Sequence, residues 1–231
     1  MKRNNVITWL IFLVAVPGTL LLGSKLPGRW YYLTGTLMIL ELLIPFFLSF
    51  EGRKPQAREL VMLAVLCALA VAARVAIPIP NFKAIYGVIM IAGIAFGPEC
   101  GFLVGAIAAL SSNFFLGQGA YTPWQMMAYG TGGMLMGFLF QKGRLSRKPL
   151  LMGIAGGLVT LLIMGPILDT CTLFWVPVKL TWKTVSAIYL AGATVNLSLS
   201  ISTFLVLFLL GSPLLQKLER IKIKYGMMEN E

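Results

Sequence analysis

From Arg74 to Gln125 the chain reads RVAIPIPNFK (74–83), AIYGVIMIAGIAF (84–96), GPECGFLVGAIAALSSNFFL (97–116) and GQGAYTPWQ (117–125). Two apolar segments are bracketed by polar and chain-breaking groups. Arg74, Pro78, Pro80, Asn81 and Lys83 stand before the first; Ser111, Ser112, Asn113, Gln118, Tyr121, Thr122, Trp124 and Gln125 close the second. Amide, hydroxyl and cationic groups inside so apolar a stretch cost free energy unless they meet water, one another or a ligand. The segment 84–96 makes about 20 Å of helix against about 30 Å of hydrocarbon, so it is too short to span alone. Pro78, Pro80 and Asn81 ahead of it predict non-helical backbone dipping in from one side. Such backbone is tolerated at depth only where protein covers it or where it lines a cavity.

The rest of the chain is equally apolar. Of its 231 residues 58% are hydrophobic and 12% charged, with a mean hydropathy of +0.85. Soluble domains carry about 25% charged residues, so the composition predicts a polytopic membrane protein. The net charge of +11 does not imply nucleic acid, because the basic residues sit in short loops between apolar runs. Cys67, Cys100 and Cys171 fall in unrelated segments and suggest neither disulfides nor a metal cluster. Histidine is absent and Asp169 is the single aspartate. Zinc-type proteolysis, histidine-activated nucleophiles and paired-aspartate chemistry are thereby excluded. The GxxxxGK[ST] phosphate loop is also missing. No catalytic group, metal or cofactor is expected.

Eight apolar segments follow in order. Val6–Gly23 and Trp30–Phe50 form an N-terminal hairpin, preceded by Lys2 and Arg3. The first run is long for a signal peptide and lacks an A-x-A site, so retention is expected. Glu41 within the second run is read as facing a neighbouring helix, protonated or hydrogen-bonded. After the polar break Glu51–Arg58 come segments at 59–77, 84–96, 100–116, 123–141, 149–170 and 186–211. The fold class is therefore all-α: a polytopic helical bundle with a hairpin at 1–52, a six-helix core at 53–215 and a basic tail at 216–231. Thirteen of the nineteen basic residues fall on the face shared by the termini, among them Arg53, Lys54, Arg58, Arg144, Arg147, Lys217 and Lys222. The positive-inside rule then predicts that both termini are cytoplasmic.

On this topology ten residues from separate segments share the outer face: Arg74, Asn81, Lys83, Asn113, Gln118, Tyr121, Trp124, Gln125, Asp169 and Trp175. Their convergence predicts an outward-facing ligand pocket with aromatic walls and a few polar groups. Taken singly, each has a plainer role. The aromatic residues fit an interfacial belt, Arg74 fits snorkelling or a pair with Asp169, and Asn113 fits an interhelical bond. Lys179 and Lys183 read as solvated loop charges. An ion-coupled secondary transporter is the alternative class; it would want internal repeats and buried carboxylates, and only Glu41 and Asp169 lie within apolar segments. A membrane enzyme lacks a general base.

Small residues recur at Ala64, Ala68 and Ala72, with Ala73 beside them. With Pro80-Asn81-Phe82-Lys83, Ala95-Phe96-Gly97-Pro98, Gly101 to Gly105, Ser112-Asn113-Phe114-Phe115, Gly117-Gln118-Gly119 and Thr122-Pro123-Trp124-Gln125-Met126, this resembles the substrate-binding S component of energy-coupling factor (ECF) vitamin transporters. The likeness covers residues 58–211, and the N-terminal hairpin is additional to the six-helix pattern. It implies capture of a vitamin-like compound from outside and docking through Ala64, Ala68 and Ala72 onto a transmembrane T component powered by two cytoplasmic ATPases. It also implies toppling of the S component in the bilayer to release its cargo. The Asn-Phe-Phe and Thr-Pro-Trp-Gln-Met stretches look most like corrinoid (cobalamin) binders, with a modified nucleobase precursor or another small vitamin next. Gly117, Gly119, Ala120 and Gly130 are expected to leave room for a wide ligand.

Overall fold

The computed structural model describes residues 11–15, 18–19, 30–52, 56–77, 79–175 and 181–226. Most of the first hairpin segment, Arg53, Lys54, Pro78 and Lys179 lie outside the described residues, as does the side chain of Trp175. The described chain is all-helical: α1 (Trp30–Gly52), α2 (Ala57–Val75), α3 (Ala84–Phe96), α4 (Pro98–Leu116), α5 (Thr122–Phe140), α6 (Pro149–Val159), α7 (Gly165–Trp175) and α8 (Trp182–Lys224). A π-helical stretch, Thr160–Met164, joins α6 to α7. Three helical runs are long and apolar enough to cross a membrane: Pro98–Leu116, Pro149–Phe174 and Trp182–Lys224. The chain is a polytopic helical membrane protein.

Local chemistry sets the helix ends. The α2 start is closed by Gln56, whose backbone N–H donates to Glu59 Oε2 at 3.3 Å. Gly97 at φ +96° and Pro98 at the first helical position separate α3 from α4 with a one-residue joint. Gly117 at φ +105° ends α4. Thr181 Oγ1 accepts from the Thr184 N–H at 3.2 Å and starts α8.

Helix α3 is the centre of the bundle. All thirteen of its residues are buried, packed by α2, α4, α5 and α8. The short segment is thus covered by protein on every side, which satisfies the condition its length imposed. Three helices approach there through glycines. A Cβ on Gly93 would lie 2.0 Å from the Gly133 carbonyl oxygen, and one on Gly101 would lie 2.5 Å from the same atom. Helix α1 packs against α4 and α5 and also touches α7. Its Glu41 carboxylate accepts from the Thr19 hydroxyl at 2.7 Å, the bonded arrangement expected for an acid at that depth.

The last helix departs from the expected segmentation. It does not stop at 211 but runs through Pro213 to Lys224, which draws residues 216–224 of the anticipated tail into the folded body. Three contacts hold it: Lys222 Nζ donates to the Ala95 carbonyl at 3.0 Å, Arg58 bonds the Tyr225 carbonyl, and Arg147 pairs with Glu219. Lys222 thereby satisfies an orphan carbonyl at the C-terminal end of α3 and complements its dipole.

Candidate functional site

The side chains that meet at one end of the bundle come from α2, α4 and α5. Arg74, in the last turn of α2, is 9% exposed. Its Nη1 donates to Ser112 Oγ and to Asn113 Oδ1 at 3.0 Å, and its Nη2 reaches Gln125 Oε1 at 3.5 Å. Asn113, 1% exposed, donates through Nδ2 to Thr122 Oγ1 at 3.0 Å and to Gln125 Oε1 at 2.8 Å. The guanidinium also lies 5.5 Å from the centroid of the Tyr129 ring. Tyr129 in turn meets Tyr86 of α3 edge to face at 4.9 Å. A buried cation is therefore held by three neutral side chains and an aromatic face, with no carboxylate among its hydrogen-bond partners in the described residues.

Around this cluster the 117–121 loop is tied down. Thr122 Oγ1 accepts from the Gly119 N–H at 3.3 Å and donates to Gln118 Oε1 at 2.9 Å. Gln118 Nε2 donates to the Leu110 carbonyl at 3.0 Å, and the Tyr121 hydroxyl donates to the Gly117 carbonyl at 2.6 Å. Thr36 of α1 reaches the Ala120 carbonyl at 3.4 Å, so the additional hairpin braces the same loop.

Of the ten residues expected to converge, Arg74, Asn113 and Gln125 meet directly, and Gln118 joins them through Thr122. Tyr121 belongs to the loop. Asn81 is exposed, in the left-handed conformation (φ 58°) that asparagine tolerates. Lys83 is partly buried and its backbone N–H donates to Ser202 Oγ at 3.0 Å. Burial, and after it the positive charge of Arg74, hold the Lys83 ammonium below the ordinary lysine range. Trp124 is only 3% exposed and packs at 5.4 Å against Phe174, as a core aromatic. Among the described residues Asp169 makes no ion pair with Arg74 and accepts from Asn196 Nδ2 at 2.7 Å. Gly192 permits that approach, since a Cβ there would lie 2.3 Å from Asp169 Oδ1. Lys183 is exposed, as a solvated charge should be.

Two features were not anticipated. Thr122, Gln125 and Tyr129 share one face of α5 at i, i+3 and i+7, a spacing that joins Thr122 and Tyr129 to the site once Gln125 is placed there. Two of the three glycines expected to leave room, Gly119 and Gly130, are filled instead. A Cβ at Gly130 would lie 2.7 Å from the Phe102 ring, and one at Gly119 would lie 2.5 Å from the Tyr121 ring. These glycines admit neighbouring aromatics, not a wide ligand.

The alanine positions lie elsewhere on α2. Ala64, Ala68 and Ala72 are exposed and line an apolar groove of about 670 Å³ between α2 and α4, with Leu103, Ile107 and Phe115 opposite. The surface is a concave channel rather than a flat face, flanked by the exposed side chains of Leu60, Val65 and Leu69.

The chain is thus a helical membrane bundle in which the helix that presents bare small residues also carries, at one end, a cation buried among neutral side chains. Comparison with protein families specifies which kind. Residues 54–220 match the family described as ECF-type riboflavin transporter, S component, and the chain belongs to that family. The match takes in α2 to α7 and most of α8 and begins beyond α1, so the hairpin is additional to the family's extent. No curated protein and no solved structure matches the chain. Membership makes it the substrate-binding component of an ECF importer, a transport family and not an enzyme class, and implies partnership with a T component and ATPases.

Proposed function

We propose that the chain captures a flavin-type vitamin at the end of the bundle carrying Arg74, Asn113 and Gln125, and passes it inward after docking through the α2–α4 groove. The observation that carries this reading is the buried cluster itself, in which Arg74 is anchored by Ser112, Asn113 and Gln125 and backed by Tyr129. Polar groups convergent from three helices beside aromatic rings suit a flat heteroaromatic ligand with carbonyl and ring-nitrogen edges. The family's description names riboflavin, and that favours a flavin over the corrinoid suggested by the sequence. The filled glycines point the same way, because a corrinoid needs a broad cavity.

The test is affinity of the purified, detergent-solubilised chain for riboflavin and cyanocobalamin, measured side by side. Riboflavin is expected to bind and cyanocobalamin not; the reverse order would restore the corrinoid reading. Gln125→Ala removes a donor available to the ligand, at about 1–3 kcal/mol, so it should weaken riboflavin binding about ten- to a hundredfold, and Asn113→Ala should weaken it by releasing Arg74 and Gln125 from their positions. Lys183→Ala should leave it unchanged.

The orientation is open to a separate measurement. Basic residues gather at the end opposite the cluster, and this supports cytoplasmic termini and an outward-facing site. Gln118 and Ser146 are both exposed, and the three native cysteines are buried. In a cysteine-free background, an impermeant thiol reagent applied to intact cells should label Gln118→Cys and spare Ser146→Cys. Labelling at position 146 alone would invert the topology.

A further inference from the structure

The acceptor atoms of the buried cluster each already accept a hydrogen bond from within it. Asn113 Oδ1 accepts from Arg74, Gln125 Oε1 accepts from both Arg74 and Asn113, and Ser112 Oγ accepts from Arg74 while donating to the Ala109 carbonyl. Thr122 Oγ1 accepts from Asn113 and Gly119 and donates to Gln118. The unused capacity consists of donors. Arg74 Nε is buried with no hydrogen-bond partner, and Gln125, whose oxygen is fixed toward Arg74 and Asn113, donates through Nε2 to none of the described residues. These spare donors sit on or beside an uncompensated positive charge in a side chain more than nine-tenths buried. A buried N–H of a cation left unpaired carries a desolvation penalty that an acceptor on the ligand would remove.

We infer that Arg74, with Gln125, reads a proton-acceptor edge of the ligand and rejects ligands that present a donor there. This rests on the flavin reading above. An oxidised flavin carries such an edge at N1 and the C2 carbonyl, two adjacent acceptors with no hydrogen between them. Its N3–H is a donor and would have to compete for acceptors that the cluster already engages, so that atom points elsewhere. The positive charge suits N1 and the C2 carbonyl, which present lone pairs and no hydrogen. Arg74 is in this account the specificity-determining residue, and the neutral side chains around it set the direction of its guanidinium.

The experiment compares riboflavin with 1-deazariboflavin, which replaces the N1 acceptor by C–H and leaves the ring shape intact. Affinities are measured for the full chain in detergent and for Arg74→Met and Arg74→Lys, with a thermal melt of each to establish folding. The unaltered chain should prefer riboflavin tenfold or more. Arg74→Met should lower riboflavin affinity and bring the ratio close to one, whereas Arg74→Lys should keep part of the preference. Equal affinities for the two flavins in the unaltered chain, or an undiminished ratio in a folded Arg74→Met chain, would overturn the inference while leaving the flavin reading in place. Absence of riboflavin binding in the unaltered chain would sink both.

Discussion

Replacement of Gly133 by leucine is expected to leave almost no folded protein. The obstacle is backbone: a Cβ at Gly133 would lie 2.3 Å from the Gly101 carbonyl oxygen, 2.7 Å from its carbonyl carbon and 2.8 Å from Ile89 Cγ2. Flexible side chains rotate away from such an intrusion, but α3, α4 and α5 touch here through their main chains and must separate. Overpacking costs about 1–3 kcal/mol where side chains give way, and an unyielding site lies at or beyond the top of that range. Gly132→Ala is the matched control, since its nearest neighbour is the Met164 thioether sulfur at 2.5 Å, part of a long side chain that can repack. Yield and melting temperature in detergent are the readouts. A Gly133→Leu chain that melts with the unaltered protein would mean that the three helices do not pack as described.

The second large effect is on transport and leaves folding alone. Ala68 is exposed in the middle of the α2–α4 groove, so Ala68→Trp meets no internal obstacle on α2 and fills the channel. If the T component packs closely against small residues there, the indole holds the partners apart. Assembly and vitamin uptake should fall at least tenfold, about 1.4 kcal/mol in docking, with riboflavin affinity and melting temperature retained. Uptake at the level of the unaltered chain would move the partner surface off α2. Ala72→Trp, one turn along, should behave alike.

The helices were legible because their boundaries are written in local chemistry. Pro80, Asn81 and Lys83 before Ala84, and Gly97 and Pro98 after Phe96, bounded α3 at the residues where it begins and ends. Glu41 stood out as an acid in an apolar run and proved to be bonded. The polar cluster was legible as a set of expensive groups but not as a geometry. Sequence marks Arg74, Asn113 and Gln125 as costly at depth, yet which groups satisfy one another depends on how α2, α4 and α5 are rotated. For the same reason Trp124, an apparent wall of the site, faces Phe174 in the core, and Asn81 faces outward. Hydropathy also misjudged α8. The apolar run ends at 211, but the helix continues to Lys224, where Lys222 and Arg58 supply tertiary bonds.

The burial of α3 also sets an order of events during synthesis. A segment too short to span, and covered on all sides once folded, gains little from entering the bilayer by itself. Its cover arrives in stages: α2 precedes it, α4 and α5 follow at once, and α8 is completed only about 130 residues later. At about 5–20 residues per second, that last wall arrives roughly 6–26 seconds after Phe96 leaves the ribosome. Through that interval the centre of the bundle lacks one of its four walls. The insertion machinery, rather than the chain, must therefore shelter it until the final helix closes.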